Sequence, residues 1–222
     1  MRSLIFVCLA SLTACSNNDS DASFATASQA QVQRAVGTAG GQDLVLVAVV
    51  GLYAIFPPAD CPVVSTDAQN VLHIQGGCTA SDGTAFSGSV SMTNPPTSSG
   101  SDPTKTSHVV FDHWNDGQDS IDGTADLSST AVAMSIDVTF AGIASHDELT
   151  MTCDANHLCT YGDSTIDQDG LGRATVSGSL ATDHNDLHLT LRGADEVDVA
   201  SDGTDCIDYS GASSGKICKS TH

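Results

Sequence analysis

The chain has 222 residues, enough for one large or two small domains, and 40% of them are apolar while only 15% are charged. This composition excludes an intrinsically disordered chain and a coiled coil. The 27 acidic residues outnumber the 7 Lys and Arg, and the formal charge of −20 argues against binding to nucleic acid and against electrostatic docking on an anionic bilayer.

The first fifteen residues have the organisation of an export signal. Met1-Arg2-Ser3 provides a positive start, and residues 4–10 form a short apolar core. Residues 12–15, Leu-Thr-Ala-Cys, resemble the lipobox that ends the signal peptide of bacterial lipoproteins. The resemblance implies that residues 1–14 are removed, that the Cys15 thiol receives a diacylglycerol, and that its amine receives a further acyl chain such as palmitate. An ordinary signal peptide with an incidental cysteine is the alternative.

This resemblance covers only the leader, so it implies a location and no activity. Several acyl chains anchor a protein stably, whereas one chain binds a membrane only marginally. We therefore expect a protein held in the bacterial cell envelope by its lipid, with the membrane as its partner. Ser16 favours the outer membrane, by analogy with enteric bacteria.

Two helices are predicted after the leader. Residues 15–25 are small and polar and suit a flexible tether, and residues 26–222 are expected to form a single β-rich domain. Residues 25–36 contain good helix formers, and glycines at 37, 40 and 41 interrupt them. Residues 44–56 are the most apolar run of the mature chain, and their uniform apolarity favours a helix enclosed on all sides, with a strand as the alternative.

The chain after Cys61 alternates between apolar and polar residues, which predicts strands with one buried and one solvated face. The alternating segments are 86–93, 132–140, 149–152, 173–180 and 187–192, and Asp-Gly pairs begin at 82, 116, 122, 169 and 202. Asp-Gly favours tight turns, although the pair at 122 is expected within a strand. Residues 94–106 are expected to form a long exposed loop.

These patterns predict a mainly β fold. We expect a curved, half-barrel-like antiparallel meander of about nine to eleven strands, wrapped on one N-terminal apolar helix, residues 44–56. Eight apolar side chains are expected to point inward: Phe86, Met134, Ile136, Phe140, Met151, Val176, Leu189 and Leu191.

Six cysteines remain once Cys8 is removed with the leader and Cys15 is acylated. An even number in an exported chain indicates disulfides, and the six fall into three couples that are local in sequence. We expect the pairs Cys61–Cys78, Cys153–Cys159 and Cys206–Cys218. Metal ligation is the alternative, but the sequence contains no Cys-x-x-Cys.

Catalytic and metal motifs are weak, and no cofactor is predicted. Residues 211–215 match the Gly-x-Ser-x-Gly motif of a catalytic serine, which needs an acid and a histidine later in the chain. No acidic residue follows these residues, and the only histidine after them is His222. Aspartates in two regions are candidate calcium ligands, although neither region fits the EF-hand spacing. The candidates are Asp116, Asp119, Asp167 and Asp169. The alternative is that these aspartates form turns and keep a salt-adapted surface soluble.

The sequence thus predicts location and architecture more closely than activity. The leading hypothesis is a non-enzymatic binding or structural module of the envelope. A carrier of an apolar ligand or lipid in the concavity of the sheet is the alternative, and an enzyme with convergent His and Asp side chains is the third. Which protein or apolar ligand it binds is open.

Overall fold

The structure is a computed structural model that describes residues 20–97, 100, 102–156, 158–181, 186–201, 204 and 206–218. Cys15, the lipobox, His222 and the Asp-Gly pair at 202 lie outside these residues. The described part contains two helices and fifteen strands. The mainly β, antiparallel prediction is therefore confirmed, and the described residues contain more strands than the nine to eleven predicted. The sheet packs on two helices, and not on residues 44–56 alone.

Helix α1 comprises Gln29–Ala39 and helix α2 comprises Gln42–Leu52. A capping box starts α1, in which Ser28 Oγ accepts from the Gln31 amide at 3.3 Å and Gln31 Oε1 accepts from the Ser28 amide at 2.9 Å. Gly41 separates the helices with φ of 92°, a left-handed conformation that suits glycine. The two axes bend by 58° at this junction.

The fifteen strands are antiparallel wherever they pair. They are β1 Val63–Thr66, β2 Leu72–Gln75, β3 Cys78–Thr79, β4 Ala85–Met92, β5 Ser107–Asn115, β6 Ser120–Leu127, β7 Ala131–Phe140, β8 Ile143–Cys153, β9 Leu158–Tyr161, β10 Ser164–Gln168, β11 Gly172–Ala181, β12 Asp186–Arg192, β13 Glu196–Ser201, β14 Cys206–Gly211 and β15 Gly215–Cys218. The order is β1-β2-β4-β5-β6-β7-β8-β10-β11-β12-β13-β14-β15, while β3 pairs with β4, and β9 pairs with β8 and β11. Neighbours in space are thus nearly always neighbours in sequence.

One face of the sheet is buried against the helices, and the other is solvated. All eight side chains predicted to point inward belong to this core or pack against it, with Phe86 and Phe140 partly buried. Helix α1 contacts β8, β10 and β12, and it buries Val32, Ala35 and Val36. The alternation in the strands therefore has the expected cause, which is burial of every second side chain.

Helix α2 is not enclosed on all sides, contrary to the prediction. Val47 is fully buried, but Val45 is 62% exposed, Val49 is 41% exposed and Leu52 is 50% exposed. The uniform apolarity of residues 44–56 therefore does not reflect uniform burial. Only one side of this helix packs against the sheet.

The packed domain begins earlier than predicted. Ala22 and Phe24, which were assigned to the tether 15–25, are buried, and Ala22 donates its amide hydrogen to the carbonyl of Arg173 at 2.9 Å. Asp195 also accepts from the Phe24 amide at 2.7 Å. These contacts join the segment before α1 to the ends of β11 and β12.

Three disulfides form, and they are the three local pairs predicted from the sequence: Cys61–Cys78, Cys153–Cys159 and Cys206–Cys218. Cys153 lies opposite Cys159 in the β8–β9 ladder, and Cys206 lies opposite Cys218 in the β14–β15 ladder. Each of these two bonds therefore crosses a single hairpin. The segment that formally matched the nucleophile elbow is the β14–β15 turn, which has a strand where the elbow requires a helix.

Candidate functional site

A groove of about 630 Å³ lies along the end of β5, β6, β7, β8 and β10. Its lining combines two histidines, four aspartates and small polar residues with the edges of apolar side chains. The residues are His113, Asn115, Ser120, Ile121, Asp122, Asp137, Val138, Thr139, Ala144, Ser145, His146, Asp167 and Asp169. A concave surface of this size, with several polar groups directed into it, is a candidate binding site.

Strand register brings the charged side chains of the groove into one row. Asp122 lies opposite Asp137, Asp137 lies opposite His146, and His146 lies opposite Asp167. Adjacent strands are about 4.8 Å apart, so the row places a titratable side chain at each such step across four strands. The partners in this row are 15, 9 and 21 residues apart in the sequence. These separations depend on the lengths of the loops and strands between them, so no sequence motif shows that the side chains meet.

A β-bulge places His113 at one end of the row. The ladder between β5 and β6 shifts between Phe111 and Trp114, and His113 itself has φ of 51°. Gly88 on β4 permits this bulge, because a Cβ at that position would lie 2.0 Å from the carbonyl oxygen of His113. The displaced His113 has its Nδ1 2.9 Å from Asp112 Oδ1 and 3.5 Å from Asp122 Oδ2.

The two carboxylates beside His113 favour its charged form. The hydrogen bond to Asp112 is the main cause, and the negative charges of Asp122 and Asp112 add to it, so that the pKa of His113 is raised above its ordinary value. His113 therefore stays protonated to a higher pH than a free histidine. When it is protonated, its ring places a positive charge among the carboxylates of the groove.

His146 is held by carboxylates through both ring nitrogens. Its Nδ1 lies 2.9 Å from Asp137 Oδ1, and its Nε2 lies 3.6 Å from Glu148 Oε1. Glu148 also lies 3.6 Å from the guanidinium of Arg173. Both ring nitrogens of His146 are thus directed at acidic groups.

The calcium candidates divide between two places. Asp167 and Asp169 line the groove. Asp116 and Asp119 lie in the β5–β6 turn, where Asp116 Oδ1 accepts from the amides of Gln118 at 3.1 Å and Asp119 at 2.9 Å. Among the described residues, no three His, Cys, Asp or Glu side chains form a group that could hold a metal ion.

A buried charge cluster joins both helices to the sheet, and sequence reasoning missed it. Arg34 on α1 lies 3.0 Å from Asp43 on α2 and 3.5 Å from Asp147 on β8, with all three side chains almost fully buried. Ser145 donates to Asp147 Oδ2 at 3.0 Å. Phe140 presents its ring 5.6 Å from the guanidinium carbon. One cation thus faces two carboxylates in the core.

Burial and the neighbouring Asp43 raise the pKa of Asp147 to about 8, although Arg34 and Ser145 act in the opposite direction. Asp147 is consequently protonated at neutral pH, and its carboxyl group then adds no negative charge beside Arg34. Burial also raises the pKa of Tyr161, whose hydroxyl donates to the carbonyl of Ala39 at the end of α1. These contacts hold the helix pair on the sheet.

A second, smaller cavity of about 70 Å³ lies beside α2, where Val49, Val50 and Tyr53 face Phe111 and Trp114. Phe86 packs on Trp114 there, with ring centroids 5.6 Å apart. Its volume is far below the roughly 300 Å³ at which ligand-binding sites begin.

Neither described helix is long and apolar enough to cross a membrane alone, whereas α1 and α2 taken together reach that length and composition but bend at their junction. Comparison of the chain with known protein families, with curated proteins and with solved structures finds no match.

Proposed function

We propose that the protein is a lipid-anchored, non-enzymatic binding module of a bacterial envelope, and that the groove along β5–β10 holds a polycationic ligand. The row of His and Asp side chains carries the second part of this proposal. The lipobox at residues 12–15 supports the first part, with Cys15 as the acylated residue and the outer membrane as the site of attachment.

The charge of the groove favours a cationic partner. Four aspartates line it, and the only basic side chains in its lining are those of two histidines. Complementary potentials steer and orient a ligand of opposite sign. A chain of formal charge −20 further disfavours anionic ligands. A ligand with several amino groups fits, because the row places the carboxylates of Asp122, Asp137 and Asp167 on three of its four strands and so offers several acceptors in a line.

The carrier alternative has less support. An apolar ligand would need a cavity on the buried face of the sheet, and the cavity beside α2 is about 70 Å³. That volume is far below the roughly 300–1,000 Å³ of ligand-binding pockets. Lipid extraction and mass spectrometry of the purified protein provide the check, since a bound stoichiometric lipid other than the Cys15 acyl chains would favour the carrier.

Anchoring is tested with Cys15→Ser in the full chain. The parent protein is expected to partition into detergent and to carry the mass of its acyl chains, while the variant stays unprocessed or becomes soluble. Equal partitioning and equal N-terminal mass in the two proteins would contradict acylation at Cys15.

Ligand binding is tested with spermine as the probe, by calorimetry at low and high sodium chloride. Asp122→Asn and Asp137→Asn are expected to weaken binding, and salt is expected to weaken it further. Asp198→Asn is the matched control, because Asp198 is also exposed on the sheet but lies on β13, outside the groove. Equal loss in all three variants would show diffuse attraction to an acidic surface, and no loss in any would refute the groove as the site.

A further inference from the structure

Helix α2 and the turn after it present an unpartnered apolar surface to solvent. It consists of Val45, Ala48, Val49, Leu52 and Phe56, which we call the α2 stripe. The spacing of three, one and three residues keeps the first four side chains on one side of the helix. Phe56 lies in the turn that follows, where its amide donates to the carbonyl of Leu52 at 2.8 Å. Phe56 is 73% exposed and Val45 is 62% exposed, the two largest values among the large exposed apolar side chains of the described residues.

The opposite side of α2 packs against the rest of the domain. Val47, Val50 and Gly51 are buried, and a Cβ at Gly51 would lie 3.1 Å from Pro96. The only charged residue in the sequence of α2 is Asp43, and it is buried against Arg34. No charge of this helix therefore interrupts the stripe.

The proposed anchor places a bilayer within reach of this surface. Cys15 precedes Ser20, the first described residue, by five positions. Five residues extend at most about 17 Å, whereas a domain of about 200 residues is roughly 40 Å across. A tether of this length holds the nearest part of the domain within about 17 Å of the headgroups, which is less than half the width of the domain.

We infer that the α2 stripe is that part, and that it inserts its side chains into the headgroup–acyl boundary of the bilayer that holds the anchor. This inference rests on the proposed anchoring at Cys15. Transfer of Val, Leu and Phe side chains from water to this boundary lowers the free energy, as it does for the apolar face of an interfacial helix. Insertion by apolar burial also does not require anionic lipid, which an acidic protein would repel.

A second copy of the chain is a poorer occupant. A stable dimer buries about 800 Å² on each partner. The stripe offers the exposed fractions of five side chains, three of them small, which is on the order of half that area. Docking on a bilayer needs no minimum buried area, because the acyl chains already hold the protein at the surface of the bilayer.

The test uses the full, acylated protein in phosphatidylcholine vesicles that contain brominated lipid, a quencher of tryptophan at the boundary. Phe56→Trp introduces a reporter in the stripe. Val63→Trp is the matched control, because Val63 on β1 is 56% exposed but lies outside the stripe. We expect the fluorescence added by Phe56→Trp to be largely quenched, and that added by Val63→Trp to be retained.

A second variant separates insertion from chance proximity. Val45→Ser with Leu52→Ser, combined with Phe56→Trp, is expected to restore most of the emission while the protein still floats with the vesicles. If the Phe56→Trp reporter is unquenched in protein that floats, docking is wrong and the anchor stands. If the acylated protein does not float, both proposals fail. If the quenching depends on the number of protein molecules per vesicle, the stripe binds a second copy of the chain, and the inference is overturned.

Discussion

Arg34 Nη1 lies 3.0 Å from Asp43 Oδ1, and this buried ion pair joins two helices whose axes bend by 58° between them. Both side chains are almost fully buried. Removing one partner of a buried pair leaves an uncompensated charge, which costs about 3–5 kcal/mol. The ion pair therefore fixes the angle between α1 and α2.

Arg34→Met is expected to lower the free energy of unfolding by about 3–5 kcal/mol, because Asp43 would lose the cation that faces it in the core. Urea denaturation at pH 7 measures this loss. Adding Asp43→Asn to the variant is expected to recover much of it, since the buried charge is then absent. A double variant as unstable as Arg34→Met alone would show that packing, and not charge, causes the effect.

Asp147 is expected to make stability fall as pH rises. Its pKa is about 8 in the folded chain. A carboxyl in the unfolded chain titrates near 4, so between these values the folded chain binds more protons than the unfolded chain. The free energy of unfolding then decreases with pH across this window, by up to about 1.4 kcal/mol per pH unit.

Asp147→Asn removes this pH dependence, and urea denaturation from pH 4 to pH 8 measures it. Asp163→Asn is the control, because it removes an exposed carboxylate and leaves the core unchanged. A pH profile of Asp147→Asn that is as steep as that of the control would contradict the assignment.

The two sides of α2 predict opposite results for the same substitution. Val47 is fully buried and Val49 is 41% exposed. Val47→Asp is expected to abolish folding or cost several kcal/mol, because it places a charge in the core. Val49→Asp is expected to leave a soluble protein that melts cooperatively. Circular dichroism melting curves compare the two, and a variant Val49→Asp that fails to fold would show that residue 49 is enclosed.

Among the disulfides, Cys61–Cys78 is expected to contribute most. It spans 17 residues, against 12 for Cys206–Cys218 and 6 for Cys153–Cys159. In the chain-entropy model a 17-residue loop is worth about 3 kcal/mol and a 6-residue loop about 2 kcal/mol. Replacing both cysteines of each pair by Ser and comparing the urea midpoints tests this order. An equal or larger loss for Cys153–Cys159 would indicate that native-state packing dominates.

Local patterns predicted the strands and disulfides because their causes are local. Met134, Ile136 and Val138 alternate with exposed residues in β7, and each disulfide joins cysteines close in sequence. Strand β5 was missed because its bulge at His113 breaks the alternation. The burial of Asp147 was predictable from the sequence, because Asp147 alternates in phase with Leu149 and Met151 and so lies on the buried face of β8. Its partners could not be predicted, because Arg34 and Asp43 meet it only through tertiary packing.

Two of the disulfides also lie at the two ends of the strand order. Cys61 precedes β1 by two residues, and Cys206–Cys218 joins β14 to β15. A strand at the margin of a sheet has backbone amides and carbonyls available for pairing with another chain. If the outermost strands β1 and β15 separated from the sheet, β2 and β14 would expose new rows of these groups. The bonds that hold the margins closed thus oppose polymerisation through edge-to-edge pairing, and reduction is expected to produce strand-linked aggregates before it unfolds the centre of the sheet.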